Sequence, residues 1–367
     1  MAQPIEAPVV APVTDYEVYY RDHDESPITF MTRLTDLRER KKLPEVERAL
    51  KAYMRYRPKH VTATMYELLA VTVEVNHRGK EADRAAAEAR DALGWAAYLA
   101  LRGDDPLAMT HVADMLAVRK LDEVAVKDAR GVEQRTTIPQ LLDLAAARTQ
   151  VRPEPSLMSI EFATRKKDPE RLIAGVTRLL SLGWPNTDEL WRVDSRRRVE
   201  AMAKELVEQG KAAEAKSLLD RLAAAEVRDL VVRLSWKGDA AVGLKVQEPL
   251  GATADHFTPR TVFGGAIVAE GHGKDKESAY TCPLAFDGTY KIMIEVLFVD
   301  PKNASREATL EIVAHEGTPE EVRERRTIAL DKPRLESFVL TGGRRRDVLP
   351  YVAPPRLEIR KAAAPKP

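Results

Sequence analysis

The sequence predicts a multidomain chain in which an α-helical array is followed by an antiparallel β-sandwich. Residues 1–226 contain seven glycines, whereas the shorter stretch 227–367 contains eleven. In the first part, apolar residues recur at intervals of three and four, which is typical of amphipathic helices. In the second part, apolar and polar residues alternate, which is typical of half-buried strands. We therefore expect the change of structural class near residue 227.

Length, charge and cysteine content limit the number of domains, the partners and the metal sites that this chain can have. The chain has 367 residues, which is enough for two or three domains and a sizeable core. Its 58 Lys and Arg and 57 Asp and Glu leave a net charge of +1, without the basic bias of nucleic-acid-binding proteins. We therefore expect no nucleic-acid partner. The single cysteine, Cys282, excludes an intramolecular disulfide and multi-cysteine metal sites.

The first 27 residues are predicted to form an extended segment. They begin Met-Ala-Gln-Pro and continue through a Pro-, Ala- and Val-rich stretch to Val13. This is similar to the start of a mature exported protein whose leader was replaced by a methionine before Ala2, which favours the periplasm or envelope. Without such a leader we expect a cytoplasmic protein. No run of about 18 apolar residues occurs, so no transmembrane segment is predicted.

Residues 28–226 are predicted to form ten helices in series. Asp105 precedes Pro106, which places a carboxylate at the N-cap and a proline at the first helical position. The proline-rich stretch 151–155 predicts a break inside the array. We interpret residues 119–135 as a polar connection that can include a short extended segment. The predicted helices are 28–41, 44–57, 61–77, 80–101, 105–118, 138–149, 156–166, 169–182, 188–209 and 211–226.

Parts of this region share a spacing of apolar and small residues. The positions are Val46, Leu50 and Tyr53, then Ala85, Ala89 and Ala92, and later Val199, Met202, Ala203 and Leu206. This spacing resembles the tetratricopeptide repeat, a helix–turn–helix of about 34 residues. The resemblance covers residues 44–95 and 197–226, and it implies an α-solenoid with a concave surface. The alternative is an irregular helical bundle.

The resemblance implies that the first helix of each unit lines a groove that binds a protein partner. The candidate partner-binding residues are Tyr66, Glu74, Arg197, Glu200, Lys204 and Glu208. The alternative is a solvated charged face, in which Glu200, Lys204 and Glu208 form a ladder at i,i+4 spacing.

Residues 228–341 are predicted to form a sandwich of short strands. Val232, Leu234 and Trp236 point to one face, so Trp236 is interpreted as a core anchor. Lys237 to Asp239 are predicted to form a turn. The predicted strands are 229–236, 242–247, 267–269, 279–284, 288–298, 307–315, 324–330 and 336–340.

The same region resembles a bacterial β-sandwich domain family of unknown function, which is often fused to helical repeats. The matching segments are Val232 to Trp236, Gly238-Asp239, Val242 to Val246, Glu248 to Gly251, Pro259 to Thr261, Gly264-Gly265 and Gly288 to Tyr290. The family has Asp, His and Asp where this chain has Gly243, Lys245 and Glu248. Any polar or metal site that the family builds there is therefore expected to be weakened.

No metal ion or cofactor is expected. The seven histidines are scattered, and no two share metal-ligand spacing on one element. Calcium requires about six to eight oxygen ligands, for which Asp239, Glu248 and Asp255 are the weak candidates. A β-sandwich that binds a carbohydrate or a calcium-dependent ligand is the first alternative function.

Catalytic signatures are missing from the sequence. There is no G-x-S-x-G, H-E-x-x-H or C-x-x-C motif. Cys282 with either His256 or His272 is a candidate pair of nucleophile and base, although a lone cysteine is commonly buried. An uncharacterised hydrolase is therefore the second alternative. The sequence favours a non-catalytic scaffold or adaptor that binds protein partners through its helical array, in a bacterial assembly of the envelope.

Residues 342–367 are predicted to form a basic tail rich in Pro and Ala. From Arg344 onward, seven Lys and Arg residues stand against Asp347 and Glu358, a balance of +5. Two interpretations remain open. The tail is either a solvated terminus without a partner or a flexible contact for an anionic surface.

Overall fold

The computed structural model describes residues 13, 15–79, 81–128, 130–149, 151–271 and 276–348, without the side chains of 239 and 299–305. The chain forms two compact units, Met1–Ala147 and Arg148–Pro367. Helices precede the main antiparallel sheet, as the sequence predicts. The sequence places its main boundary near residue 227, whereas here the last four helices and the main sheet share the second unit.

The first unit contains helices α1 to α7 and a two-stranded antiparallel hairpin. The Asp105 N-cap that the sequence predicts is present. Its carboxylate accepts hydrogen bonds from the backbone N–H groups of Leu107 and Ala108, at the start of the helix Pro106–Val118. The helices are α1 Tyr16–Asp22, α2 Pro27–Glu39, α3 Leu43–Tyr56, α4 Ala63–Asn76, α5 Ala82–Arg102, α6 Pro106–Val118 and α7 Ile138–Arg148, and the strands are β1 Glu123–Lys127 and β2 Glu133–Thr137.

The amino-terminal segment differs from the prediction of an extended chain. Asp15 caps α1, and Tyr20 of this helix is fully buried. Its ring lies 5.6 Å from that of Phe30 and 5.2 Å from that of Tyr53, both in edge-to-face geometry. Aromatic packing thus holds residues 16–22 in a helix. Residues 1–12 and 14 lie outside the described part.

The second unit contains helices α8 to α11 and strands β3 to β9. The main sheet has the order β5-β6-β3-β7-β8, with β4 also on β3 and β9 also on β7, and every pair is antiparallel. The elements are α8 Glu154–Lys166, α9 Pro169–Leu180, α10 Asp188–Glu208, α11 Ala212–Glu226, β3 Arg228–Gln247, β4 Thr253–Ala254, β5 Ala266–Ala269, β6 Lys276–Cys282, β7 Gly288–Glu316, β8 Val322–Ala329 and β9 Arg334–Leu340. None of the described helices is both long and apolar enough to cross a membrane.

Strand β3 continues where the sequence predicts a turn. The strand register shifts on both sides of Gly238, which has a positive φ of 78°, and such bulges bend a strand without ending it. Leu230 pairs with Ala314 near the end of β7, whereas Val246 pairs with Ile292 near its start. The buried residues of both halves of β3 share one core, which includes Trp236. The prediction that Trp236 is a core residue is confirmed.

The segment between α9 and α10 approaches the main sheet, and residues on both faces of that sheet are buried. Val231 and Val313, which alternate with the core residues, are also buried. After α9, the Gly183 N–H donates to the carbonyl of Gly264 at 2.8 Å. A Cβ at Gly183 would lie 2.9 Å from the Cβ of Ala266, so a side chain is not accommodated there. This close approach positions the start of α10 beside the start of β3.

The beginning of the predicted basic tail is bound to the sheet. The Arg344 backbone N–H donates to Asp229 Oδ2 at 2.8 Å, and its Nε donates to Oδ1 at 2.5 Å. Arg345 is buried, and its Nε donates to the carbonyl of Leu284 at 2.9 Å. These two arginines are therefore engaged within the unit, which corrects the prediction of a solvated tail or surface contact for them. Residues 349–367 lie outside the described part.

Candidate functional site

A pocket of about 340 Å³ lies where α10, the end of α11, the start of β3 and the turn after β7 meet. All of these elements belong to the second unit. Both signs of charge are present among the side chains that line the pocket. The charged lining residues are Glu189, Arg192, Arg196, Glu226, Arg228 and Glu316.

Arg192 is buried at this pocket and has one unused amino group. Its Nε donates to Asp188 Oδ2 at 3.0 Å, one turn earlier on α10, and its Nη1 donates to the carbonyl of Glu226 at 3.0 Å. That carbonyl ends α11, where the helix dipole favours a cation. Its Nη2 is buried and has no hydrogen-bond partner within the described part of the chain. Arg192, one of the residues that line the pocket, therefore has a charged donor that is closed to solvent and lacks an acceptor.

A second guanidinium lies close to the first. Arg228 forms a salt bridge through two of its nitrogens with Glu316, its partner across β3 and β7. Burial lowers the pKa of Arg228, and the charge of Arg192 lowers it further. The two cations thus repel each other in a poorly solvated place. An anion bound between them would reduce that repulsion.

The carboxylate of Glu316, which pairs with Arg228 at the pocket, is ionised. Burial by itself raises the pKa of Glu316, but the charge of Arg228 and the Arg233 hydrogen bond, at 2.8 Å, outweigh it and hold the pKa below its usual value. Glu316 therefore has no proton to transfer near neutral pH. The described residues that line the pocket include no Ser, Thr, Cys, His or Lys. This arrangement is suited to holding an anion by charge-assisted hydrogen bonds.

Four of the sequence-predicted residues continue from this pocket along one exposed face of α10. We call this face the α10 ridge. It also contains two large apolar side chains, because Leu190 is 65% and Val193 is 53% exposed. Steps of three and four residues place these positions on one side of the helix. The ridge consists of Leu190, Val193, Arg197, Glu200, Lys204 and Glu208.

The other two predicted partner-binding residues lie in the first unit and are engaged there. Tyr66 on α4 stacks against Trp95 with ring centroids 6.1 Å apart, and burial raises its pKa. Glu74 accepts two hydrogen bonds from Arg119, at 2.8 Å from Nε and 2.6 Å from Nη2. The six predicted residues are thus divided between the two units.

The weak metal candidates do not share a site. Glu248 is 2% exposed, and its Oε1 accepts hydrogen bonds from the Thr261 hydroxyl at 2.5 Å and the Tyr280 hydroxyl at 3.0 Å. Asp255 instead accepts two backbone N–H groups in a local turn and faces Lys245 at 3.7 Å. The side chain of Asp239 lies outside the described part. No three acidic, His or Cys residues within that part form a cluster able to hold a metal ion.

Cys282 and His256 have separate partners. The Cys282 thiol is buried, donates to the carbonyl of Leu284 at 3.2 Å, and has a pKa raised by burial. His256 lies in an exposed loop with its Nδ1 2.8 Å from Glu270. The structure therefore gives Cys282 and His256 each its own local contact and does not pair them, whereas His272 lies outside the described part.

Sequence reasoning missed the arginine pocket. One local signal was available, because Arg192 follows Asp188 by four residues at the start of a predicted helix. The second guanidinium could not be found in this way, since Arg228 and Glu316 are 88 residues apart in the chain. Comparison with protein-family models, curated proteins and solved structures found no match. The two family resemblances therefore stay predictions.

Proposed function

We propose that this chain is a non-catalytic adaptor that holds an acidic segment of a protein partner on its second unit. The observation that carries the proposal is the buried Nη2 of Arg192, which has no acceptor among the described residues. Leaving a buried donor unpaired costs about 1 to 3 kcal/mol, and more for a charged group. A carboxylate oxygen from a partner would satisfy this donor once the Arg192 side chain turns toward the pocket, and it would thereby stabilise the complex.

The α10 ridge supplies the surrounding contacts in this proposal. Arg197 and Lys204 are exposed there, and such peripheral charges mainly increase the association rate and its dependence on salt. Arg192 is buried at the pocket, so its contacts are the ones expected to determine the dissociation rate. The proposal therefore assigns most of the affinity to Arg192 and a smaller part to the ridge.

The proposed architecture agrees with an adaptor. We interpret α10 and α11 as a tetratricopeptide-like pair, since Met202 and Leu206 share one core with Leu218 and Leu222. We interpret the bent sheet, whose two halves enclose one core, as a β-sandwich. Helical pairs of this kind present extended binding surfaces, and the setting that we propose is a bacterial assembly of the envelope.

The test measures binding of a fluorescein-labelled peptide with four Glu-Ser-Ser repeats to the full chain by fluorescence anisotropy. Arg192→Lys retains a positive charge beside Asp188 but removes the planar group that carries Nη2. We expect it to weaken binding at least about tenfold, which corresponds to about 1.4 kcal/mol. The matched control is Arg221→Lys on α11, where Arg221 is exposed and paired with Glu170.

A second test changes exposed residues only, so its result does not depend on whether a substitution at the buried Arg192 disturbs the fold. Arg197→Glu combined with Lys204→Glu reverses two exposed charges and is expected to weaken binding about threefold at low salt. Lys211→Glu with Lys216→Glu on α11 is the matched control. Circular dichroism and melting temperature verify folding. Absence of binding, or equal losses in Arg192→Lys and Arg221→Lys, would disprove the proposal.

A further inference from the structure

One edge of the main sheet consists of β8 followed by β9. Among the described strands, both pair with β7 alone, on the side of β7 that β3 does not occupy. The outer edges of β8 and β9 therefore have no strand beside them within the described part of the chain. Such an edge can pair with another extended chain, and natural proteins protect it with charges or with a cover.

The two strands of this edge differ in their protection. β8 presents charged side chains to solvent, and its Arg323 and Arg325 both donate to Glu311 on β7. β9 instead exposes Leu335 to 65% and Val339 to 62%. An edge strand with exposed apolar side chains is the kind to which a further strand adds. Protection is therefore required at β9 more than at β8.

Arg326 covers the middle of β9. It belongs to β8, but its Nη1 and Nη2 both donate to the backbone carbonyl of Ser337, each at 3.2 Å. Two carboxylates hold the guanidinium in this place. Nε donates to Glu324 at 2.8 Å, and Nη1 donates to Glu336 at 2.7 Å. A charged group thus lies at a backbone acceptor of the exposed strand.

We propose that Arg326 makes an autoinhibitory contact, which keeps β9 from pairing with β9 of a second copy of this chain. The pattern of β9 specifies this occupant, because the strand is self-complementary about Ser337. Antiparallel pairing that places Ser337 opposite its counterpart also places Leu335 opposite Val339 twice, on the exposed face. Release of Arg326 would allow a two-fold dimer that buries both apolar pairs. Arg326 does not line the arginine pocket, so this contact goes beyond the proposed adaptor function.

The experiment measures the molar mass of the full chain by sedimentation velocity at increasing protein concentration. Arg326→Gln removes the guanidinium from Ser337, and we expect a mass about twofold that of the unaltered chain. The matched control is Arg325→Gln, since the neighbouring Arg325 is exposed and pairs with Glu311 on β7. This control is expected to retain the mass of the unaltered chain. Circular dichroism verifies that both variants stay folded.

Charges on the exposed face of β9 test which strand associates. Leu335→Lys with Val339→Lys, added to Arg326→Gln, is expected to remove the increase in mass, because the lysines would stand opposite each other. Leu335→Glu with Val339→Glu in the same background is expected to do the same, and a mixture of the two chains is expected to dimerise. Ser337→Cys with Arg326→Gln is expected to form an intermolecular disulfide, since the two positions face each other.

The outcomes decide each part of this proposal. An unchanged mass in folded Arg326→Gln would show that Arg326 does not cover a pairing site. An increase that persists with both lysines would place the association outside β9. A mass above that of two copies, or no disulfide at position 337, would contradict pairing about Ser337. An increase that both lysines remove and that the Lys–Glu mixture restores is the expected result.

Discussion

Two buried arginine–carboxylate pairs, one in each unit, differ in how completely their hydrogen bonds are satisfied. Arg33 with Glu25 and Arg192 with Asp188 have the same side-chain exposure, 7% for the arginine and 4% for the acid. Arg33 donates to Glu25 from Nε at 3.2 Å and from Nη2 at 2.8 Å, and Nη2 also donates to the Tyr19 hydroxyl at 3.2 Å. Arg192 has an amino group without an acceptor among the described residues.

This difference teaches that burial alone does not indicate function. The pair in the first unit is closed, because each nitrogen described above has an acceptor and the guanidinium lies 5.0 Å from the centre of the Tyr19 ring. The pair in the second unit is open in the sense that Arg192, which lines a pocket, has one nitrogen without an acceptor among the described residues. We therefore interpret the closed pair as structural and the open pair as a binding element.

The largest expected effect comes from breaking the closed pair. Arg33→Met leaves the Glu25 carboxylate buried without its cation, and such a loss costs about 3 to 5 kcal/mol of unfolding free energy. Chemical unfolding followed by circular dichroism measures the change. Peptide binding by the second unit is expected to remain within about twofold of the unaltered chain wherever the chain stays folded.

The control for this variant is Arg40→Met, which removes an exposed pair with Asp36. Exposed ion pairs contribute about 0 to 1 kcal/mol, so its effect on unfolding is expected to be small. A loss in Arg33→Met as small as that in Arg40→Met would contradict the interpretation of the closed pair.

The next largest effect is expected when each of the two buried arginines, Arg33 and Arg192, is replaced by lysine and the losses of stability are compared. Arg33→Lys loses the two-nitrogen contact with Glu25 and is expected to cost about 2 kcal/mol, since each charge-assisted bond contributes about 1.5 to 3 kcal/mol. Arg192→Lys can still pair with Asp188 but loses one hydrogen bond, from Nη1 to the carbonyl of Glu226, together with a nitrogen that had no acceptor, so about 1 kcal/mol is expected. Unfolding midpoints in urea compare the two. Equal losses would show that the open and closed pairs are energetically alike.

A smaller effect is expected from Glu248, a buried carboxyl group in which one oxygen accepts no hydrogen bond from the described residues. Glu248 Oε2 is buried without a hydrogen-bond partner among the described residues, and burial raises the pKa of this group. The folded state therefore retains a proton that the unfolded state releases near its ordinary pKa of about 4.3. Between the unfolded and folded pKa values, stability decreases as pH rises, by up to about 1.4 kcal/mol per pH unit from this group.

Glu248→Gln removes this titration and keeps an oxygen that can accept from Thr261 and Tyr280. We expect the variant to gain stability relative to the unaltered chain as the pH increases from 4 to 8. Urea unfolding at several pH values measures the difference, and the exposed Glu320→Gln is the matched control. A stability difference that does not change with pH would show that Glu248 is ionised in the fold.

Much of the secondary structure could be predicted because its causes are local. Asp105 and Pro106 specify the start of α6 by capping and by a fixed φ, and the alternation through Trp236 specifies a strand. The continuity of β3 was missed, because Gly238 is compatible with a turn or a bulge and only the pairing with β7 decides between them. The helix at residues 16–22 was missed, because it depends on packing of Tyr20 against distant aromatic rings.

The burial of both faces of β3 near its start left a signal that the prediction did not use. Leu230, Val231 and Val232 are consecutive and all buried, which indicates a strand covered on both faces. The pocket itself has no comparable signal. It depends on the proximity of Arg192, the end of α11 and Arg228, which are brought together only in the folded unit.

The smallest expected effect tests whether α4 belongs to the partner surface, as the sequence predicts for Glu74. In the structure Glu74 is committed to Arg119, so Glu74→Gln loses one acceptor of a partly exposed pair and is expected to cost about 0.5 to 1 kcal/mol. Binding of the Glu-Ser-Ser peptide is expected to change less than about twofold, because Glu74 belongs neither to the lining of the arginine pocket nor to the α10 ridge. The exposed Glu39→Gln on α2 is the control. If Glu74→Gln alters peptide binding about tenfold while Glu39→Gln does not, α4 takes part in recognition and the contrast between a closed first unit and an open second unit fails.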